Sequence, residues 1–290
     1  MRPLLPHDAL AGRRIAISVS DTPDLLRLGF VKTHFQLALG EIARCVLISG
    51  GSLAYGGHLQ PDGFTAFLIQ ELERYGRKDR PFVVCLAWHI HRGLATAELE
   101  KTRRALGLLG RLVLLTREGE EVASDANLPE GPELITDAVV KAQALTALRR
   151  FMAQNTDARV LIGGKRVKFD GDMPGLIEEA IVTLEAGGAL YVAAGFGGVA
   201  IDIARALDID DGSWFPGLPG AAPDDQRLID GVAKLRAVVT APGWKGLENG
   251  LTPDENRLLA VSHRPSEIAA LVSLGLGRKL QTAVVREGSS

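Results

Sequence analysis

Residues 189–207, ALYVAAGFGGVAIDIARAL, combine a short apolar run, a glycine-rich turn and an amphipathic helical pattern. Gly195, Gly197 and Ala200 match G-x-G-x-x-A, which between a strand and a helix indicates a phosphate or pyrophosphate site at the helix N-terminus. The acidic residue that dinucleotide-dependent oxidoreductases carry about twenty positions later is replaced by a loop, which disfavours redox chemistry. We therefore predict that ligand phosphates lie over the whole turn, formed by Gly195, Phe196, Gly197 and Gly198.

Short apolar runs of this kind recur along the chain and alternate with amphipathic helical patterns such as 64–75 and 176–184. This alternation indicates βαβ units and predicts an α/β fold, a Rossmann-like, mainly parallel sheet with helices on both faces. Ligands bind such sheets outside the carboxyl ends of the strands. The predicted strands are 14–20, 44–51, 81–89, 111–116, 159–164 and 189–195, and the expected ligand turns follow Val19, Ser49, Gly163 and Ala194.

The chain is expected to have two parts. A Rossmann-like nucleotide-binding domain is predicted over 13–207, and a loop with a small helical C-terminal appendage over 208–290. One C-terminal helix has good N-cap chemistry, with Thr252 before a proline. The acidic, turn-rich region at about 117–145 is interpreted as a surface insertion.

Bulk composition excludes several classes of protein. Lys plus Arg (33) nearly balances Asp plus Glu (35), so no global field favours nucleic acid or an anionic membrane. The longest apolar runs fall well short of the roughly 18 residues that a membrane span needs. The first residues lack the apolar core of a secretory signal and two cysteines cannot form a disulfide framework, so we expect a cytoplasmic protein. His89 and His91 alternate at a predicted strand end without a third ligand, so no metal is expected.

A second glycine-rich segment, SGGSLAYGG (49–57), follows the predicted strand at 44–51. Glycines after a strand let the backbone approach a ligand closely, and their N–H groups form an anion-binding nest. The alternative is that these glycines only form tight turns. The predicted ligand-binding residues here are Gly50, Gly51, Ser52, Tyr55, Gly56 and Gly57, together with Ser20 at the end of the first strand.

A third segment, IGGKRVKFDGDMPGLIEEA (162–180), places basic residues after a Gly-Gly turn and then opens a helix. Arg166 is the first choice for neutralising a phosphate and Lys165 the second, and the alternative for Arg166 is a solvated loop charge. The segment is not a Walker A loop, because Arg166 stands where that loop has Ser or Thr. The predicted ligand-binding residues are Gly164, Lys165, Arg166, Pro174, Gly175, Glu178 and Glu179.

Taken in order, SVSDTPDLLRLGF, ISGGSLAYGGHLQPDGFTAFL, RVLIGGKRVKFDGDMPGLIEEA and LYVAAGFGGVA resemble the SLOG superfamily. This superfamily contains SMF/DprA DNA-processing proteins, LOG phosphoribohydrolases and nucleotide-sensing domains of melastatin channels and bacterial antiphage effectors. The resemblance covers about 13–207 and is greatest to the bacterial sensor branch. It implies a Rossmann-like fold that binds an NAD-derived, ADP-ribose-like or cyclic nucleotide ligand without a required cofactor.

The LOG hydrolases carry PGGxGTxxE, and this chain departs from that motif. Aligned on Gly198, the proline becomes Ala194, the threonine becomes Val199, and the acid position holds Asp202. Binding is therefore better supported than catalysis, and the leading hypothesis is a ligand sensor, forming a homo-oligomer or acting on an effector partner. The alternatives are an N-glycosidase, phosphoribohydrolase or deoxyribosyltransferase, and a scaffold with a vestigial site. The catalytic candidates are Glu178, Glu179 and Asp202.

Overall fold

A computed structural model describes residues 5–75, 79–123, 131–209 and 225–287. Its centre is a six-stranded, all-parallel sheet in the order β4-β3-β2-β1-β5-β6. The predicted Rossmann-like architecture is confirmed, and the strand order reverses between β1 and β5, as in doubly wound sheets. The strands are β1 Arg14–Ser20, β2 Ser52–Gly56, β3 Phe82–Leu86, β4 Gly110–Leu114, β5 Ala158–Gly163 and β6 Ala189–Ala193.

Helices cover both faces of the sheet, and further helices follow it in the C-terminal region, as expected. Thr252 caps one of them, and its hydroxyl accepts a hydrogen bond from Glu255 N–H. The helices are α1 Asp24–Arg27, α2 Lys32–Ile48, α3 Phe64–Tyr75, α4 Trp88–Arg92, α5 Thr96–Leu106, α6 Ala138–Gln154, α7 Gly175–Glu185, α8 Val199–Ala206, α9 Gln226–Thr240, α10 Pro253–Val261 and α11 Pro265–Glu287.

The two faces of the sheet bury separate apolar clusters. Ile15 and Ile17 of β1 face a cluster formed with α2, α3 and α11, which we call the α2 face. Ala16 and Leu161 point the other way, toward α6, α7 and α8, which we call the α7 face. Because both faces are covered, the strands are nearly continuous apolar runs, which is why most of them could be predicted.

The strand predicted over 44–51 is wrong. Residues 44–48 form the end of α2, whose buried residues Phe35, Leu39, Ile42 and Val46 recur with helical spacing, and residues 49–51 lie between α2 and β2. The next strand begins only at Ser52, which pairs with the first residue of β1. The structure therefore places Gly50, Gly51 and Ser52 at the amino edge of the sheet, opposite the predicted ligand edge.

Two further segments refine the expected layout. The surface insertion predicted to about residue 145 ends earlier, because α6 begins at Ala138 and Asp137 caps it by accepting bonds from Val139 N–H and Val140 N–H. Helix α11 packs against α2 and buries Ile268 in the core of the α2 face.

The division of the chain at residue 207 stays a prediction. Within the described residues, no helix is long and apolar enough to cross a membrane.

Candidate functional site

The candidate site lies where the carboxyl ends of β1 and β5 meet. Ser20 pairs with Gly163, and Gly164 N–H donates to the Ser20 carbonyl at 2.9 Å. Gly163 and Gly164 have φ angles of +69° and +98°, which side-chain-bearing residues rarely adopt. A Cβ at Gly164 would lie 2.5 Å from Val199 Cγ1, at the start of α8. The Gly-Gly turn therefore brings the backbones of β1, β5 and α8 into close contact.

The predicted phosphate turn at Gly195–Gly198 is buried under neighbouring elements. A Cβ at Gly195 would lie 2.1 Å from the Ser262 carbonyl oxygen, just after α10. Phe196 is fully buried and its ring contacts Phe30 and Phe35. The first half of the turn thus serves packing, and only the second half, at Gly197 and Gly198, faces the site at the end of β5.

An acidic side chain occupies the donors at the start of α8. Gly198 N–H donates to Asp24 Oδ2 at 2.7 Å, and a Cβ at Gly197 would lie 2.4 Å from Asp24 Cβ. Asp24 is only 5% exposed. A carboxylate at a helix N-terminus holds the position that an anionic ligand would take. A phosphate at this turn therefore has to displace Asp24.

Arg166 lies beside the same turn and is already paired. Its Nε donates to Asp202 Oδ2 at 2.7 Å, and its Nη1 lies 3.8 Å from Asp24 Oδ2. The alternative interpretation of Arg166 as a solvated loop charge is wrong, because the side chain is buried. Burial raises the pKa of Asp202 and Arg166 opposes that shift. Lys165 is exposed next to this pair, so it is the more accessible cation of the two.

The two consecutive carboxylates of α7 point in different directions. Glu178 is buried against α6, where it is paired with Arg149 and accepts a hydrogen bond from Thr146. Pro174 is the N-cap of α7 and is buried, and a Cβ at Gly175 would lie 2.8 Å from Arg149 Nη2. Glu178 therefore ties α7 to α6 and does not face the crevice between β1 and β5.

Glu179 instead faces the sheet. Its Oε2 lies 3.7 Å from Nη1 of Arg159, a residue of β5, and that oxygen is buried without a hydrogen-bond partner among the described residues. The Arg159 guanidinium reaches Ser18 of β1, whose register partner lies two residues beyond Arg159 toward the carboxyl end. Glu179 consequently lies below the crevice, at the junction of β1, β5 and α7.

The carboxyl end of β2 lies beside the end of β1, at one side of the candidate site. A Cβ at Gly56 would lie 2.5 Å from Met152 Sδ, and one at Gly57 would lie 2.4 Å from the Tyr55 ring, so both glycines permit close packing. Burial raises the pKa of Tyr55, with smaller contributions from Glu179 and Asp21. Partial burial lowers the pKa of His58, and the nearby Lys165 and Lys32 lower it further. Asp21, which is exposed, raises it. Asp21, His58 and Lys165 are exposed and follow the carboxyl ends of β1, β2 and β5.

A family model described as SLOG cluster2 matches residues 9–259. The chain belongs to the SLOG family. The predicted SLOG membership is thus confirmed, while the assignment to the bacterial sensor branch stays a prediction. No curated protein matches the chain.

The histidines expected at a strand end lie elsewhere in this SLOG protein. His89 and His91 belong to α4, a short helix after β3, and His91 Nε2 contacts the Leu115 carbonyl oxygen at 2.9 Å. Burial lowers the pKa of both side chains. In the part of the chain that the structure describes, no three His, Cys, Asp or Glu residues are grouped to hold a metal ion.

Sequence reasoning missed three charged residues of this SLOG site. Asp24 fills the α8 N-terminus, Arg159 supports Glu179, and Arg149 holds Glu178. Only Arg159 carried a signal, because an arginine within a run predicted to be buried on both faces has to find a buried partner. Nothing in the sequence indicated the partners of Asp24 and Arg149.

Proposed function

We propose that this SLOG protein binds a phosphorylated, nucleotide-derived small molecule, with an NAD-derived or ADP-ribose-like compound as the leading class. SLOG membership supports a nucleotide-related role in binding or processing. The observation that carries the proposal is the reversal of strand order between β1 and β5, because ligands of doubly wound sheets bind in the crevice at the carboxyl ends of the strands at that point. Below that crevice lies Glu179 Oε2, a buried acceptor that hydrogen-bonds to no described residue.

Within this proposal, the ligand spans two kinds of contact. Its phosphate lies near the glycine turns at Gly163–Gly164 and Gly197–Gly198, with exposed Lys165 and buried Arg166 as the nearby cations. Its ribose hydroxyls reach Glu179, because an ionised carboxylate accepts hydrogen bonds strongly. The proposal also includes a sensor role in bacterial stress or antiphage signalling, which rests on the resemblance. It further includes a homo-oligomeric state, an effector partner and a cytoplasmic location.

Sensing is favoured over catalysis by the partners of the acidic residues. Glu178 is paired with Arg149 and Asp202 with Arg166, so neither carboxylate is available to act on a glycosidic bond without breaking an ion pair. A general acid or base has to come within hydrogen-bond reach of the reacting atom. Glu179 is the remaining candidate, and it keeps a phosphoribohydrolase or N-glycosidase as the second function. Chromatography of AMP, NAD and ADP-ribose after prolonged incubation separates the two, since a sensor returns each compound intact.

Glu179→Gln is expected to weaken ADP-ribose binding by about tenfold or more, because a charge-assisted hydrogen bond to the ligand is lost. Calorimetry on the wild type and the variant measures the change. The matched control is Glu185→Gln, the same substitution at the exposed end of the same helix, which should bind like the wild type. Equal affinities for the wild type and Glu179→Gln would exclude Glu179 from the site.

Asp24→Ala is expected to strengthen binding of inorganic phosphate and of AMP by about tenfold, because it removes a carboxylate from the position of the phosphate. The substitution vacates the Gly198 N–H donor and leaves Arg166 with one fewer anionic neighbour. Asp230→Ala, on the exposed surface of α9, is the control. If Asp24→Ala binds both probes no better than the control does, the phosphate does not lie at the start of α8.

A further inference from the structure

Strand β5 contains a fully buried arginine that the proposed binding site does not use directly. Arg159 has no exposed surface, and the apolar residues Val160, Leu161 and Ile162 follow it in the strand. Taking a guanidinium out of water is costly, and well-packed apolar residues of similar volume often stabilise a core as well as a buried ion pair does. Packing alone therefore gives no reason for a charge at this position.

The contacts of Arg159 join three elements at one point. Its Nε donates to Thr183 Oγ1 of α7 at 2.9 Å, and its Nη1 donates to Ser18 Oγ of β1 at 2.8 Å. Nη1 also lies 3.7 Å from Glu179 Oε2. Thr183 follows Glu179 by one helical turn, so both lie on the same side of α7, and Glu179 is the one nearer the carboxyl edge. Arg159 thus links α7 to β1 through hydrogen bonds and places its guanidinium beside Glu179.

Titratable groups on several neighbouring elements also act on this pair. Glu179 raises the pKa of Tyr55, a residue of β2. Burial lowers the pKa of Arg159, Glu179 raises it, and Arg149 of α6 and Cys85 of β3 make smaller contributions. Arg149 is already paired with Glu178. Arg159 is therefore the cation found beside Glu179, with 3.7 Å between its Nη1 and Glu179 Oε2.

We propose that Arg159 is a positioning residue for ligand recognition, which places a positive charge beside the Glu179 carboxylate and directs that group toward the carboxyl ends of β1 and β5. This inference rests on the proposed function, since Glu179 is the group that contacts the ligand. Without Arg159, Glu179 becomes a lone buried carboxyl group that takes up a proton and accepts hydrogen bonds poorly. The pair thereby selects ligands whose hydroxyl groups meet the carboxylate, because a site built for a hydroxyl rejects an analogue that lacks it.

The first arm of the test needs no ligand. Stability against denaturant is measured at several pH values between about 5 and 8 for the wild type, Arg159→Met, Arg159→Lys and the double variant Arg159→Met/Glu179→Gln. In Arg159→Met the folded state holds a proton on Glu179 that the unfolded state releases, so stability falls as the pH rises relative to the wild type. The double variant removes the titrating group and should lose this dependence, and Arg159→Lys should show little of it.

The proposal would be overturned if the stability of Arg159→Met and that of the double variant depended on pH in the same way. If Arg159→Met does not fold, folding of the double variant supports the proposal, because it shows that the lone carboxylate caused the failure. Failure of both apolar variants, with Arg159→Lys folded and stable like the wild type at every pH, also supports a requirement for the cation. If Arg159→Lys is as unstable as Arg159→Met at every pH, Arg159 has only a structural role.

The second arm measures ADP-ribose affinity of the folded variants against pH. Arg159→Met should bind about tenfold more weakly than the wild type at the low end of the range and recover as Glu179 ionises, while the wild type stays constant. A folded Arg159→Met with wild-type affinity at every pH overturns the positioning role and leaves the proposed function standing. A wild type that binds neither ADP-ribose, AMP nor NAD refutes the proposed function, and the stability arm still decides whether Arg159 governs Glu179.

Discussion

Replacing Arg149 by methionine is expected to lower the free energy of unfolding by about 3–5 kcal/mol, because it leaves Glu178 as an unpaired buried carboxylate. Both side chains of this pair are about nine-tenths buried between α6 and α7. Thr146 satisfies part of the Glu178 carboxylate by a hydrogen bond but supplies no charge. Chemical denaturation followed by circular dichroism measures the loss.

Two companions separate the buried charge from lost side-chain volume. Arg149→Met/Glu178→Leu removes both charges and should recover most of the stability, since a buried pair replaced by apolar residues is often tolerated. Arg257→Met removes the arginine of an exposed pair with Asp254 and should cost about 0.5 kcal/mol or less. An Arg149→Met variant as stable as Arg257→Met would show that Glu178 does not depend on this ion pair.

The sheet was largely predictable because its strands are buried on both faces. β1 was predicted over 14–20 and is found over the same residues, and β5 and β6 lie within one or two residues of their predicted bounds. The failure at 44–51 has a clear physical cause. A short apolar run is compatible with a strand or with the buried half of a helix, and α2 shows helical spacing only when its earlier residues are included.

The candidate site was predictable in its glycines and in some of its charged residues, but not in how the charged residues pair. Turns after β5 and β6 follow local rules, so Gly164 and Gly198 could be placed at the carboxyl edge in advance. Asp24 meets Gly198 across 174 positions of sequence, and Arg159 meets Ser18 across 141. Such pairings depend on how the whole sheet assembles, and no local pattern encodes them.

Glu178 and Glu179 show the same limit at the scale of one helical turn. Neighbouring residues on a helix point about 100° apart, so one carboxylate of the pair had to face away from the other. The sequence offered both as ligand contacts and both as catalytic candidates. The structure separates them, because Glu178 is held by α6 and Glu179 lies over β5. Which element packs on which side of α7 therefore decides where each carboxylate lies.

Gly195→Ala is expected to destabilise the fold by about 3 kcal/mol, the upper end of the usual cost of overpacking, because a Cβ at this position would lie 2.1 Å from the Ser262 carbonyl oxygen and 2.7 Å from that of Val261. Both atoms belong to backbone, so no side-chain rotation can relieve the contact. The end of α10 would have to move away from β6, against which α10 packs. Thermal or chemical unfolding measures this loss.

Gly93→Ala is the matched control for Gly195→Ala. It makes the same substitution at a glycine with ordinary helical backbone angles, where the new Cβ would lie no closer than 3.5 Å to any atom, and it should leave stability nearly unchanged. A Gly195→Ala variant as stable as Gly93→Ala would mean that α10 does not close over this turn as described. Gly195 would then be free to contact a ligand, as the G-x-G-x-x-A pattern predicts. A large loss of stability instead assigns this glycine to packing and leaves Gly197 and Gly198 as the part of the motif that faces the candidate site.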